Sequence, residues 1–345
     1  MTNRGRIKSL ECLRGLAALA ITWFHLTHGG KLFAESSHLL IQVAAWVGLI
    51  GYHGITLFFV LSGFVIPLSM RCTPQSSGVR SVMRGFPSFF LPRLVRLQPP
   101  FVMASLLALG LNLLSASLPG YRGQFQVTPT QALSSLLADS AFATGLLGGT
   151  WILVVAWTLA LEIQFYAIAG LVEPSTRSAR RAHPWLTLLF GLISLTLATI
   201  SFPSPAFVFG VLPAFALGWI SSHHLLDPHP SHWFGIAWLL ALIWLRGGTV
   251  QGVLGASCVF LIALALRFPD CSPKPLLWLG GISYSLFLIH VPIGGRIVNL
   301  FLRSSHSLGL QFLVCLLALV LSLIMAWMFW ALIERPCHRL SRRLL

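Results

Sequence analysis

Apolar stretches of about 20 residues recur along the whole chain, the length a helix needs to cross a bilayer core of about 30 Å. Only 9% of the residues are charged and 56% are hydrophobic. Hydrocarbon offers no water to satisfy backbone groups, so a chain of this kind folds as spanning helices or as a closed barrel. The residue-by-residue alternation of barrel strands is absent. The sequence therefore predicts an all-α, polytopic bundle in which 1–345 forms one integral membrane domain. Ten crossings are expected, at roughly 12–33, 43–69, 89–114, 150–172, 184–202, 206–222, 233–246, 249–267, 276–299 and 308–333.

The net charge of +15 would suggest nucleic acid in a soluble protein. Here it sorts by side instead, and no nucleic-acid partner is expected. With ten crossings, eighteen of the 23 Lys and Arg fall on the side that holds both termini; the other side holds Lys31, Arg122, Arg246, Arg296 and Arg303. Positive residues accumulate on the cytoplasmic face, so both termini are expected there. Residues 1–30 begin like a signal peptide, but Glu11, Arg14 and His25 interrupt the apolar run and no small-x-small site follows. Six cysteines at scattered positions do not read as a disulfide framework. His223, His224, His229 and His232 crowd one loop; scattered loop histidines of this kind read as solvated, and no metal site is expected. The connection over 115–149 is the longest on the outer side and holds room for an interfacial or re-entrant helix.

An ionisable side chain at the centre of a membrane span costs about 2.5–3.5 kcal/mol on insertion scales. The first span carries two, Arg14 and His25, eleven residues and hence about 16 Å of helix apart. With Arg14 at the cytoplasmic boundary, His25 sits near mid-depth. An imidazole there suits proton transfer, or simply bonds a neighbouring helix. Glu162, one of eight acids, lies in another apolar stretch. If its span enters at Thr150-Trp151, Glu162 matches His25 in depth. A carboxylate on one ring nitrogen would then orient the imidazole and leave the other nitrogen free as a base; a buried polar cross-link between helices is the plainer reading. Arg93 and Arg96 share a face if a helix starts by Pro92, where paired guanidiniums suit phosphates or anchor the chain to head groups. Glu334, beside Arg335 and Pro336, reads as a partner for a basic loop.

Taken together these segments resemble the membrane-bound acyltransferase-3 family. The likeness rests on Arg14 and His25 with ten residues between, Phe58–Phe64 with Ser62 and Gly63, the Arg93-Leu94-Val95-Arg96 pair, Trp157 through Glu162 to Phe165-Tyr166, Ser283-Tyr284 through His290, and Glu334-Arg335-Pro336. The resemblance implies acyl transfer from cytoplasmic acyl-CoA, commonly acetyl-CoA, to hydroxyls of glycans or other acceptors, often on the outer face. It implies His25 as the catalytic histidine with Arg14 as its companion, Glu162 as the essential acid, and Arg93 and Arg96 as the donor-binding pair. Ser62, Trp157, Tyr166, Ser283, Tyr284 and His290 would support substrate or structure, and no metal is implied. Thr158 stands where Ser is usual, Phe287 replaces a common Tyr, and Pro92 stands where a basic residue often precedes Arg93. The chain ends at 345 and is expected to be a stand-alone member, in a cell membrane that is most simply a bacterial inner membrane. A secondary transporter or a flippase for a lipid-linked glycan would also need buried ions. It would move substrate without consuming CoA. A receptor or scaffold would tolerate loss of Glu162.

Overall fold

The computed structural model describes residues 7–27, 39–71, 79–116, 129–202, 204–269, 271–301 and 307–343. Among them there is no strand, and the helices are α1 (Lys8–Thr27), α2 (Leu39–Gly51), α3 (Gly54–Arg71), α4 (Val79–Ala116), α5 (Pro129–Ser140), α6 (Ala156–Ala182), α7 (Pro184–Ser201), α8 (Leu212–Leu226), α9 (Pro230–Arg267), α10 (Lys274–Gly281), α11 (Ser283–His290), α12 (Arg296–Phe301), α13 (Leu308–Phe329) and α14 (Arg335–Arg342). Six stretches of the described residues are long and apolar enough to cross a membrane: 41–70, 82–116, 184–201, 230–267, 283–301 and 308–342. Helices α1 and α6, of 20 and 27 residues, have the length for the same passage. The protein is an all-α polytopic membrane protein.

Several expected spans are not single straight helices. Residues 230–267 fold back on themselves at Gly248, whose φ of 74° and ψ of −174° lie outside the helical region. Trp244 Nε1 donates to Thr249 Oγ1 (3.3 Å), and a Cβ on Gly255 would lie 3.2 Å from the Leu240 side chain. The result is a helical hairpin at the place the sequence put two crossings, because only glycine enters this backbone conformation without strain.

The segment expected to cross over 150–172 is broken differently. Helix α5 dips back into the bundle: Gln98 Nε2, inside α4, donates to the Ser140 carbonyl (2.9 Å), and Phe142 stacks on Phe101 at 4.9 Å. Residues 141–155 are non-helical, with buried Phe142 at φ 55°, and α6 starts only at Ala156. Irregular backbone at membrane depth survives only where protein groups satisfy it. Asp139, fully buried, does so by accepting from Thr144 Oγ1 (2.5 Å) and from the Ile152 amide (3.0 Å).

Small residues set the closest crossings, as is usual where helices pack without water between them. A Cβ on Gly63 would overlap the Phe215 carbonyl, and one on Gly218 would overlap the Val60 carbonyl, so α3 and α8 are locked together backbone to backbone. Likewise Gly15 of α1 meets Gly280 of α10. At the far end of the same contact His25 meets His290. Both pairs are 265 residues apart in sequence, so α1 and α10–α11 run parallel and in register. Helix α13 runs antiparallel to them: Cys315 Sγ reaches the Leu26 carbonyl (3.6 Å), and past its end Glu334 reaches Ser285. Two π-helical turns interrupt these elements, at Val291–Gly295 directly after His290 and at Trp330–Glu334. Such turns shift the register of the side chains that follow and recur at functional sites.

Candidate active site

The parallel register of α1 and α11 brings two histidines together inside the bundle. His290 is fully buried, and its Nε2 lies 3.2 Å from His25 Nδ1, with ring centroids 5.0 Å apart. Proton positions follow from the remaining partners. His290 Nδ1 faces the Leu286 carbonyl at 2.9 Å, which only accepts, so this nitrogen carries the hydrogen. The neutral ring is then left with an acceptor at Nε2. His25 Nδ1 must donate to it, and the same nitrogen faces a second acceptor, the Ile21 carbonyl, at 3.0 Å. Both neighbours demand the same tautomer: Nδ1–H on His25, with the lone pair on Nε2. His25 is half-buried, and its Nε2 has no hydrogen-bond partner among the described residues. A histidine held this way keeps a lone pair free on Nε2 of a fixed ring.

A second polar group occupies a different level of the bundle. Glu162 Oε1 accepts from Ser62 Oγ (2.9 Å) and from Tyr166 Oη (2.5 Å). Buried Glu334 accepts from both the amide (3.2 Å) and the hydroxyl (2.6 Å) of Ser285. Arg14 feels the charges of Glu162, Glu334 and Arg96, and Arg96 and Glu162 also act on Tyr284. None of these four charged residues closes a direct ion pair among the described residues, and the buried Nε of Arg96 has no hydrogen-bond partner. Arg93 lies next along α4, its guanidinium 3.8 Å over the Phe89 ring and donating to the Phe89 carbonyl and to Ser69 Oγ (2.6 Å each). The charged neighbours that act on Arg93 are Tyr166 and Arg96.

The structure corrects four expectations. Glu162 does not meet His25; its partners are Ser62 and Tyr166, and its electrostatic neighbour is Arg14. Depth had been counted from Thr150 as though that residue stood at the membrane surface, but the chain has already descended through α5, and Glu162 is seven residues into α6. Arg93 and Arg96 are not at a helix start, because α4 begins at Val79 and runs through Pro87, Pro92, Pro99 and Pro100. Donors from other helices reach α4 carbonyls along this stretch, Ser341 Oγ on that of Pro92 (2.6 Å) and Tyr284 Oη on that of Leu97 (2.7 Å). Glu334 partners no loop; the π turn carries it into the core. The histidines of 223–232 are not a solvated loop, since His223 and His232 are buried at the ends of α8 and α9.

Of the supporting residues, Ser62, Tyr166 and Tyr284 join the charged group, Ser283 Oγ bonds the Gly280 carbonyl (2.8 Å), and Trp157 packs against the main core. The Thr158 hydroxyl is turned back onto the Val155 carbonyl (2.9 Å) in the first turn of α6. Ser285 and the pairing of His290 with His25 were not found from sequence. The equal ten-residue spacing of Gly15–His25 and Gly280–His290 is the signal that carried them.

A model of the acyltransferase domain family, acyltransferase-3, matches residues 7–330. Comparison with curated proteins and with solved structures gives no match.

Proposed function

The chain belongs to the acyltransferase-3 family and is a membrane acyltransferase; from that membership and the two-level geometry we propose that it moves an acyl group, typically acetyl, from cytoplasmic acyl-CoA to a hydroxyl of a glycan, lipid-linked or other acceptor on the extracytoplasmic side. The observation that carries the proposal is the fixed His25 tautomer, with Nε2 open and Nδ1–H held by Ile21 and His290. Nε2 takes the proton from the acceptor hydroxyl as its oxygen attacks the thioester carbonyl. The C–S bond breaks, and the CoA sulfur leaves with the proton that His25 returns. An acyl-histidine route would use the same nitrogen. The separation of the two levels supports this reading. About 16 Å of helix rise lies between Arg14 and His25, a gap suited to the long pantetheine arm. Arg93 and Arg96 would take the phosphate end, and Arg14 would line the arm's path. The excess of Lys and Arg on one side favours cytoplasmic termini.

Mass spectrometry of envelope glycans and lipids from cells with and without the chain, together with CoA release from acetyl-CoA in membranes, tests the proposal. The expected result is an ester that appears only with the protein and CoA released alongside it. Acceptor movement without CoA release would favour a carrier and overturn it.

His290 is assigned as a positioning residue. His290→Phe removes the acceptor that stabilises the His25 imidazolium, a hydrogen bond to a charged group worth about 1.5–3 kcal/mol. Turnover is expected to fall by about 10–150-fold, and His290→Gln, which retains an acceptor oxygen, should recover part of it. Equal turnover in the two variants would remove the assignment.

A further inference from the structure

Away from both levels, a cavity of about 280 Å³ opens where α6 passes into α7 and α8 into α9. Its lining includes Arg180, Arg181, His223, Asp227, His229 and His232. The charges divide unequally between spent and available. Arg180 is committed to buried Glu173 through two bonds of 2.9 and 3.2 Å, and Trp219 Nε1 adds a third donor to that carboxylate (3.1 Å). Arg181 is exposed and has no partner among the described residues. His232 is more than nine-tenths buried, yet neither ring nitrogen has a hydrogen-bond partner among them, and its Nδ1 is shut off from solvent. His229 accepts the Ser231 amide on Nδ1 (3.2 Å), which places its own hydrogen on Nε2 and makes that nitrogen a donor. The one acid on the lining, Asp227, is exposed.

A pocket whose uncommitted groups are a guanidinium and imidazole nitrogens, closed at its base by a neutralised carboxylate, is built to accept a compact polyoxygen anion. Its surroundings specify where that anion comes from. Trp185 packs at 6.1 Å on His229, and Trp233 at 4.5 Å on His224; both tryptophans are more than half exposed. Exposed tryptophans at helix ends mark the head-group level of a bilayer.

We propose that this pocket binds a phosphate group, that of a phospholipid head group at the membrane surface, through Arg181, His229 and His232. The site is separate from the acyl-transfer machinery and does not depend on that reading. Glu173 lies eleven residues, about 16 Å of helix, beyond Glu162 along α6.

The full-length protein in detergent is titrated with dioctanoyl phosphatidylglycerol, with dioctanoylglycerol as the phosphate-free match, and with inorganic phosphate, binding being read by native mass spectrometry and thermal shift. Phosphatidylglycerol is expected to bind and dioctanoylglycerol not. Arg181→Gln and His232→Gln should each weaken binding about tenfold or more, while Arg342→Gln, at an exposed position of α14, leaves it unchanged. Arg181 is exposed, so its variant reads the site even if the buried histidine variant fails to fold. Loss confined to the lipid places the source in the membrane; the same loss with inorganic phosphate makes the free anion sufficient. Both outcomes support the site. Equal binding of the two dioctanoyl lipids, no binding of any probe, or wild-type affinity in Arg181→Gln would overturn it.

Discussion

His25→Ala is expected to lower acyl transfer by about 10²–10⁴-fold, the usual contribution of a positioned general base, with little loss of folded protein. The two effects separate because of how the ring is held. His25 is half-buried and its two bonds both end on Nδ1. Its removal leaves the Ile21 carbonyl within its helix and only His290 Nε2 newly without a partner. Transfer from labelled acyl-CoA, measured at matched amounts of folded protein, checks the expectation. Unchanged transfer in His25→Ala would sink the assignment of Nε2 as the base and, with it, the route by which donor and acceptor meet. His25→Gln is a stricter version: it refills the site and can still bond His290, but it cannot carry a proton between substrates.

Much of the bundle was legible because hydropathy is a local property. The hairpin turn at Gly248, the close crossing at Gly63 of α3 and the break of the long outer connection by a re-entrant helix all stand in the sequence as glycine positions or stretches of mixed polarity. The error at Glu162 came from converting residue count into depth. That conversion holds only along an unbroken helix that starts at a known boundary, as it does for Arg14 and His25 in α1. It fails where α5 and the irregular residues 141–155 intervene. Arg93 and Arg96 were misplaced because proline usually marks a helix start, whereas α4 runs on through four of them. The pairing of His290 with His25 spans 265 residues and rests on a backbone contact between two glycines. Spacing within one segment cannot show it.

The corrected place of the carboxylates changes what their removal should do. Glu334 is buried, held by two bonds from Ser285, and balances the charges of Arg14 and Arg96 without touching either. Breaking such a balance inside a protein leaves an uncompensated charge, at about 3–5 kcal/mol, so Glu334→Ala is expected to lower thermal stability and yield sharply. Glu162→Gln should act in the same direction and less strongly, because Glu162 is half-buried and the amide oxygen can still accept from Ser62 and Tyr166. Combining Glu162→Gln with Arg96→Gln restores the charge count, and the double variant should regain stability but not activity if Arg96 holds the donor as proposed. Thermal unfolding of the two singles and the double measures this coupling. The competing view, that Glu162 orients His25, makes the opposite forecast: a stable Glu162→Gln whose rate falls by the factor a lost orienting group costs, with no recovery from any arginine change. Unfolding and turnover measured on the same three samples decide between a carboxylate that balances the guanidiniums and one that serves the base.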